Sequence, residues 1–266
     1  MRRRTPTILG LVVHVVPALQ RRVRVLAAQL EHDIASALRE LGALASHAYL
    51  SHAGRGGKPT AQLPDQVLDT IRVDQWVRRR ETPILQNHAV RVIADTQRTL
   101  RTEIGLDMRV PVDDARRIVT ESTKDLRLPD IEPQVRAAIR TAIEEGYAAG
   151  ENPVATARRI REYVPAGRFV HAGAAYRSRL IARTETLDLQ REATLAAYQA
   201  NESVTHIQIR DGLLADSDDA CKARNGRIVP KADAASIQPL HPQCTLSFSP
   251  VVSPSARVRE PEPAFA

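Results

Sequence analysis

Apolar residues at Val23, Leu26, Leu30, Ile34, Leu38, Leu41 and Leu44 recur at steps of three and four. That spacing lines one helix face and predicts a helix running to about Ala48. Gly54, Arg55, Gly56, Gly57, Lys58 and Pro59 break it and read as a flexible joint. They do not form a phosphate-binding loop. Pro59 stands where Ser or Thr must hold magnesium, and His52 stands where the first Gly belongs. The next helix is predicted over 64–80, with Val67, Ile71 and Trp76 inward. Thr82 and Pro83 read as a cap followed by proline at the first helical position. The helix they open carries Ala89, Ile93, Thr96, Leu100 and Ile104 and stops near Gly105. Asp113 caps a short helix containing Ile118 and Val119. Pro129 and Pro133 open another, with Val135, Ile139, Ala142 and Ile143 inward, ended by the stretch from Gly146 to Gly150. Asn152 and Pro153 repeat the cap-plus-proline signature ahead of Ile160 and Val164, and a last long helix spans 173–200.

After Asn201 the period changes. Thr205, Ile207 and Ile209 alternate with His206, Gln208 and Arg210, a strand pattern. Asp211-Gly212 and Asn225-Gly226 are turn signals, the second followed by Ile228 and Val229 as in a hairpin. Leu246 and Phe248 suit a final strand, and the Pro-rich chain from Ser249 predicts a disordered tail. The fold class is therefore mainly α: long helices, then a small C-terminal α+β module and a tail. The module has about 45 residues, fewer than usually fold alone, so it should dock on the helix before it. Domains are expected at 1–128 (helical), 129–251 (helices then the module) and 252–266 (tail).

Composition supports this reading. The chain has 266 residues, 43% hydrophobic and 26% charged, with only 3% aromatic, so its core must be Ala, Leu, Val and Ile. That favours packed helices over a sandwich. Residues 1–60 hold nine basic and three acidic side chains, so six of the seven net positive charges lie there. Arg2, Arg3, Arg4, Arg21, Arg22 and Arg24 are the candidate contacts to DNA or an acidic partner. The apolar run from Ile8 to Leu19 is interrupted by His14 and Pro17 and lacks a small-x-small cleavage site. It reads as neither a signal peptide nor a membrane span.

Two cysteines, Cys221 and Cys244, are too few for a disulfide scaffold. With His241 they offer three weak metal-ligand candidates, and His206 or Asp219 could supply a fourth. No Cys-x-x-Cys pair is present, so no metal and no cofactor is expected, zinc being the one contender. Two small buried thiols beside a turn is the plainer expectation. Arg183 and Glu185 lie two apart and point to nearly opposite sides of a helix, one fastening the module and the other facing solvent or a partner. Pro242 holds His241 at a turn. An enzyme would have to draw on Asp211, Asp216, Asp218, Asp219, His206 and His241, or on Cys221 with His241. No paired motif fixes an acid and a base, so no catalytic residue is assigned.

The ordered set Ala182-Arg183-Thr184-Glu185, Asp211-Gly212, Asp219-Ala220-Cys221, Asn225-Gly226 and His241-Pro242-Gln243-Cys244, with Pro250 soon after, resembles the C-terminal domain of Mu F-like phage head morphogenesis proteins. The resemblance covers about residues 130–251. Two departures stand out: many members carry a second Cys shortly after the first and a Cys-Arg-Cys at the end. Here Arg224 follows Cys221, and Thr245 and Leu246 follow Cys244. The resemblance implies a minor capsid protein, assembled in the bacterial host cytoplasm and retained in the virion head. Its partners would be the portal and other head proteins, with packaged DNA a further candidate, and it would engage neither a membrane nor a small-molecule substrate. Two alternatives are a metal-dependent nuclease or toxin-like enzyme, and a DNA-binding protein acting through the basic N-terminal helix.

Overall fold

The computed structural model describes residues 11–53, 62–121, 131–167, 170–211 and 218–253. The architecture is mainly α with a small C-terminal sheet. In chain order it runs β1 (Leu11–Val12), α1 (Val16–Ala53), α2 (Leu63–Ile71), α3 (Val73–Ile104), α4 (Val112–Glu121), α5 (Ile131–Ala148), α6 (Pro153–Ala166) and α7 (Gly173–Ala200). β2 (Val204–Arg210), α8 (Asp219–Arg224), β3 (Ile228–Pro230), a 3-10 helix (Lys231–Ser236) and β4 (Ser247–Val252) complete it. Arg2, Arg3, Arg4, the joint at 54–59, Pro129, Gly212, Asp216 and the tail beyond 253 lie outside the described residues.

The chain packs as two compact units, each discontinuous in sequence. A helical unit takes residues 26–88 and 120–185. A sheet unit takes the chain up to Val25, residues 89–119 and the chain from Thr186. The boundaries fall within α1, α3, α4 and α7, whereas the sequence reading divided the chain at 128.

The helical unit is built by the stripes that the periodicity predicts. Leu30, Ile34, Leu38 and Leu41 of α1 share one core with Val67, Val135, Ile139, Ile143, Ile160 and Val164. Three expectations need correction here. Leu44 is 45% exposed, and Ala45, Ala48 and Tyr49 carry the stripe on instead. The helix predicted over 64–80 is two helices, because Arg72 turns left-handed (φ 46°) and its N–H caps Leu68 O at 3.1 Å. Ile71 and Trp76 are accordingly only half-buried. Thr82-Pro83 opens no helix, since Pro83 sits inside α3. Proline there removes one backbone bond, at a cost of about 3 kcal/mol, but Val73 and Leu85 on either side are locked in the core.

The α5–α6 corner is close-packed. Asn152 caps α6 by accepting from Ala155 N at 2.9 Å, as its sequence signature predicts. Arg159 reaches back to Glu145 at 3.0 Å and Glu151 at 2.5 Å. Gly146 lies against Thr156, where a Cβ would come within 2.8 Å of Thr156 Cγ2.

In the sheet unit the strand order is β1-β4-β2-β3, with every neighbouring pair antiparallel. β1 was not foreseen: Leu11 pairs with Val252 and Val12 with Val251. Val15, Val16, Ala18 and Leu19 are buried, so the described end of the N-terminal apolar run is core. In β2 a bulge between Val204 and His206 leaves Thr205 exposed, and Val204, Ile207 and Ile209 face inward. The tail begins later than Ser249, because Ser249 to Val252 are buried in β4. The module docks on the end of α7. Tyr198, fully buried, donates to Phe248 O at 3.3 Å, and Lys231 Nζ donates to Asn201 O at 2.9 Å. On α1, Arg22 forks onto the buried Asp95 through Nε and Nη2 at 2.5–3.0 Å.

Gly146→Ala should destabilise the protein by about 1–3 kcal/mol, because Thr156 has no room to yield beside its own helix. Urea denaturation followed by helical circular dichroism measures this. An unchanged midpoint would show that the α5–α6 contact is looser than described.

Candidate functional site

The module's chemistry gathers on the chain between β2 and β4. Asp218 accepts from Cys221 N at 2.7 Å and so caps α8, a six-residue helix that carries Cys221 inward. Asn225 and Gly226 then turn the chain. Gly226 sits at φ 82°, a conformation that favours glycine, and its N–H donates to Ile209 O at 2.8 Å. Ile209 N donates to Arg227 O at 2.8 Å, which aligns β3 beside β2. Further on, Cys244 N donates to His241 O at 3.2 Å. Pro242 occupies the second position of this turn and Gln243, at φ 60°, the third, the signature of a type II turn. The turn brings His241 and Cys244 to one side, facing α8.

Side-chain bonds tie these turns together. Asn225 Oδ1 accepts from Asp211 N at 3.1 Å, and Asp211 Oδ1 accepts from Thr245 Oγ1 at 2.7 Å. Arg224 donates to Gln238 O at 3.0 Å. Residues from both turns and from the end of β2 are thus knitted into one frame.

Within the frame Cys221 and Cys244 are buried, free thiols with Sγ atoms 3.7 Å apart. His241 Nε2 lies 3.4 Å from Cys221 Sγ and 3.2 Å from Asp218 Oδ2. His241 Nδ1 donates to its neighbour's carbonyl, Pro242 O, at 2.8 Å. The thiols are inside, while the His241 and Asp218 side chains are 41% and 47% exposed. Burial pushes the Cys221 thiol up to about 12, helped by Cys244 and Asp218. The Cys221 backbone N–H, with the Cys221 thiol and His241 as lesser contributors, holds the Asp218 carboxyl below the usual range. A thiol kept protonated is a poor nucleophile.

Among the described residues, the metal-ligating side chains that converge are Cys221, His241 and Cys244. The two fourth positions suggested by sequence do not join them. Asp219 is fully exposed and faces Lys222 at 3.7 Å, and His206 Nδ1 contacts Thr205 Oγ1 at 3.2 Å. The residue beside His241 is Asp218, which enters the sequence reading only within an acidic run. Its signal was an Asp at a helix start, three residues before Cys221. On α7 Glu185 is 7% exposed and Arg183 half-buried. Of the basic candidates, Arg21 and Arg24 are exposed and Arg22 is committed to Asp95.

The fold favours the neutral Cys221 thiol, whose ordinary value is 9.0. Stability from this group is complete below about pH 9 and is lost as pH rises toward 12. In metal-free reducing buffer, the urea midpoint should therefore fall across that interval, and Cys221→Ala should flatten the fall. Identical pH dependence in parent and variant would contradict the burial argument. No known family model, curated protein or solved structure matches this chain.

Proposed function

We propose that this chain is a phage minor capsid protein that binds the portal or the head interior and aids procapsid assembly or genome delivery. It would assemble in the host cytoplasm and remain in the virion head. One observation carries the reading. Asp211, Cys221, Asn225, Gly226, His241 and Cys244, six of the residues on which the resemblance rests, are spread over 211–244 yet meet in one frame. A motif set that serves as the joints of a module fits a protein acting through a rigid surface. The protonated Cys221 thiol supports binding over Cys–His hydrolysis. The DNA-binding alternative rests on exposed Arg21 and Arg24, together with Arg2, Arg3 and Arg4.

Co-expression with a cognate head operon tests the proposal. The chain should co-purify with the portal and persist in mature heads. His241→Ala, which loosens the frame, should lower incorporation without loss of helical signal. Charge reversal at Arg21 and Arg24 separates the alternatives. Incorporation should survive it if protein is the main partner. DNA affinity with a steep salt dependence, flattened by the reversal, would favour the alternative. Heads that lack the chain altogether by mass spectrometry would overturn the proposal.

A further inference from the structure

We propose that Asp218, Cys221, His241 and Cys244 form a tetrahedral site for one zinc ion, which clasps α8 to the turn before β4. The site goes beyond portal binding and stands or falls independently of it.

The spacing argues for it first. The four residues form two pairs, Asp218-x-x-Cys221 and His241-x-x-Cys244. Two residues between ligands is the spacing that cysteine pairs take in structural zinc sites, and here Asp218 and His241 each stand where such a pair would have its first cysteine. The second pair is closed by a backbone turn, Cys244 N to His241 O, and the first by the Asp218 cap on Cys221 N. Both halves are therefore pre-shaped by bonds that do not involve the ligating sulfur and nitrogen atoms.

The distances argue next. With Zn–S near 2.3 Å and Zn–N and Zn–O near 2.0–2.1 Å, tetrahedral angles give edges of about 3.8 Å for S···S, about 3.6 Å for S···N and about 3.3 Å for N···O. Three of the six edges are on this scale, 3.7 Å for Cys221 Sγ to Cys244 Sγ, 3.4 Å for Cys221 Sγ to His241 Nε2 and 3.2 Å for His241 Nε2 to Asp218 Oδ2, and the ligand atoms of Cys221, His241 and Cys244 all lie within 4.8 Å of one another.

The hydrogen bonds supply an independent argument. Pro242 O can only accept, so His241 Nδ1 carries a proton. In the neutral ring Nε2 is then an acceptor, 3.4 Å from the Cys221 thiol and 3.2 Å from an Asp218 oxygen that is also an acceptor. The Cys221 thiol proton can serve only one of these two acceptors at a time, whereas a cation in its place would be bound by sulfur, nitrogen and oxygen together. A metal-bound histidine commonly has its second nitrogen held by a carbonyl in this way. Without a metal the same atoms are bridged by protons alone, the Cys221 thiol's among them. The two accounts differ in metal content. The partial exposure of His241 and Asp218 leaves the ion a route in from solvent.

The full-length chain, stripped with chelator and kept reduced, is titrated with cobalt(II) and then with zinc. One cobalt per chain should bind, with the intense visible bands of tetrahedral thiolate coordination, and one zinc should displace it. Cys221→Ser and Cys244→Ser should abolish the bands. Because those variants remove buried groups, Asp218→Asn provides the folded control: Asn still caps α8 but is a far weaker ligand. It should keep the parent's helical circular dichroism and weaken zinc binding by about tenfold or more. Absence of stoichiometric metal from the reduced parent would overturn the site in favour of a cluster bridged by protons alone. Bands that persist in Cys221→Ser would overturn it by moving the metal elsewhere. Unchanged zinc affinity in Asp218→Asn would remove Asp218 as the fourth ligand.

Discussion

All six residues of β4 are buried. A strand buried on both faces needs cover above and below and a partner on each edge, because its backbone groups cannot reach water. β2 supplies one edge and β1 the other, with Val13 N donating to Pro250 O at 3.1 Å. Cover comes in part from the end of α7, where Tyr198 is buried and bonds Phe248 O. The first and last described elements of the chain are therefore neighbours in one unit. Burial of β4 also explains why a segment containing Pro250 and two serines is strand: its N-terminal and α7 neighbours make it core.

The same demand bears on the connection between β2 and β4. It must return the chain to an antiparallel strand while carrying α8, β3 and two tight turns. Among its described residues only Cys221, Ala234, Cys244 and Leu246 are buried, so polar joints hold it: Asp211 to Thr245, Asn225 to Asp211, Asp218 to α8, and His241 beside the buried thiols. This is why the motif residues are Asp, Asn, Gly, His, Pro and Cys, the types that cap, turn and cross-link. In such a frame their first role is architectural, and the proposed head-assembly role uses the surface that the frame makes rigid.

Much of this was legible in the sequence. The limits of α7, the Asn152 cap and the stop of α3 at Gly105 follow from periodicity and local turn chemistry, both of which are local properties. The failures have the opposite origin. A left-handed Arg72 and an interior Pro83 break local preference, and both sit beside residues held by the helical core. The bulge after Val204 turns Val204 inward in place of Thr205, which alternation alone misassigns, while Ile207 and Ile209 face inward as it predicts. β1 is two residues long, and its strand state depends wholly on β4. At the candidate site the three converging ligand types were visible, but the fourth neighbour was not. Asp218 and Asp219 look alike in sequence, and only the start of α8 turns one toward His241 and the other toward Lys222.

The central claim is that β4 unites the N-terminal segment, the end of α7 and the C-terminal module in one cooperative structure. Native-state hydrogen exchange on the full chain, followed against denaturant, tests it most directly. Amides of Val12 to Val15, of the last turns of α7, of β2 and of β4 should exchange through a single opening, with one free energy and one denaturant dependence. If the N-terminal amides exchange through a separate, low-energy opening that leaves β4 protected, then β4 does not depend on β1 and the claim is wrong.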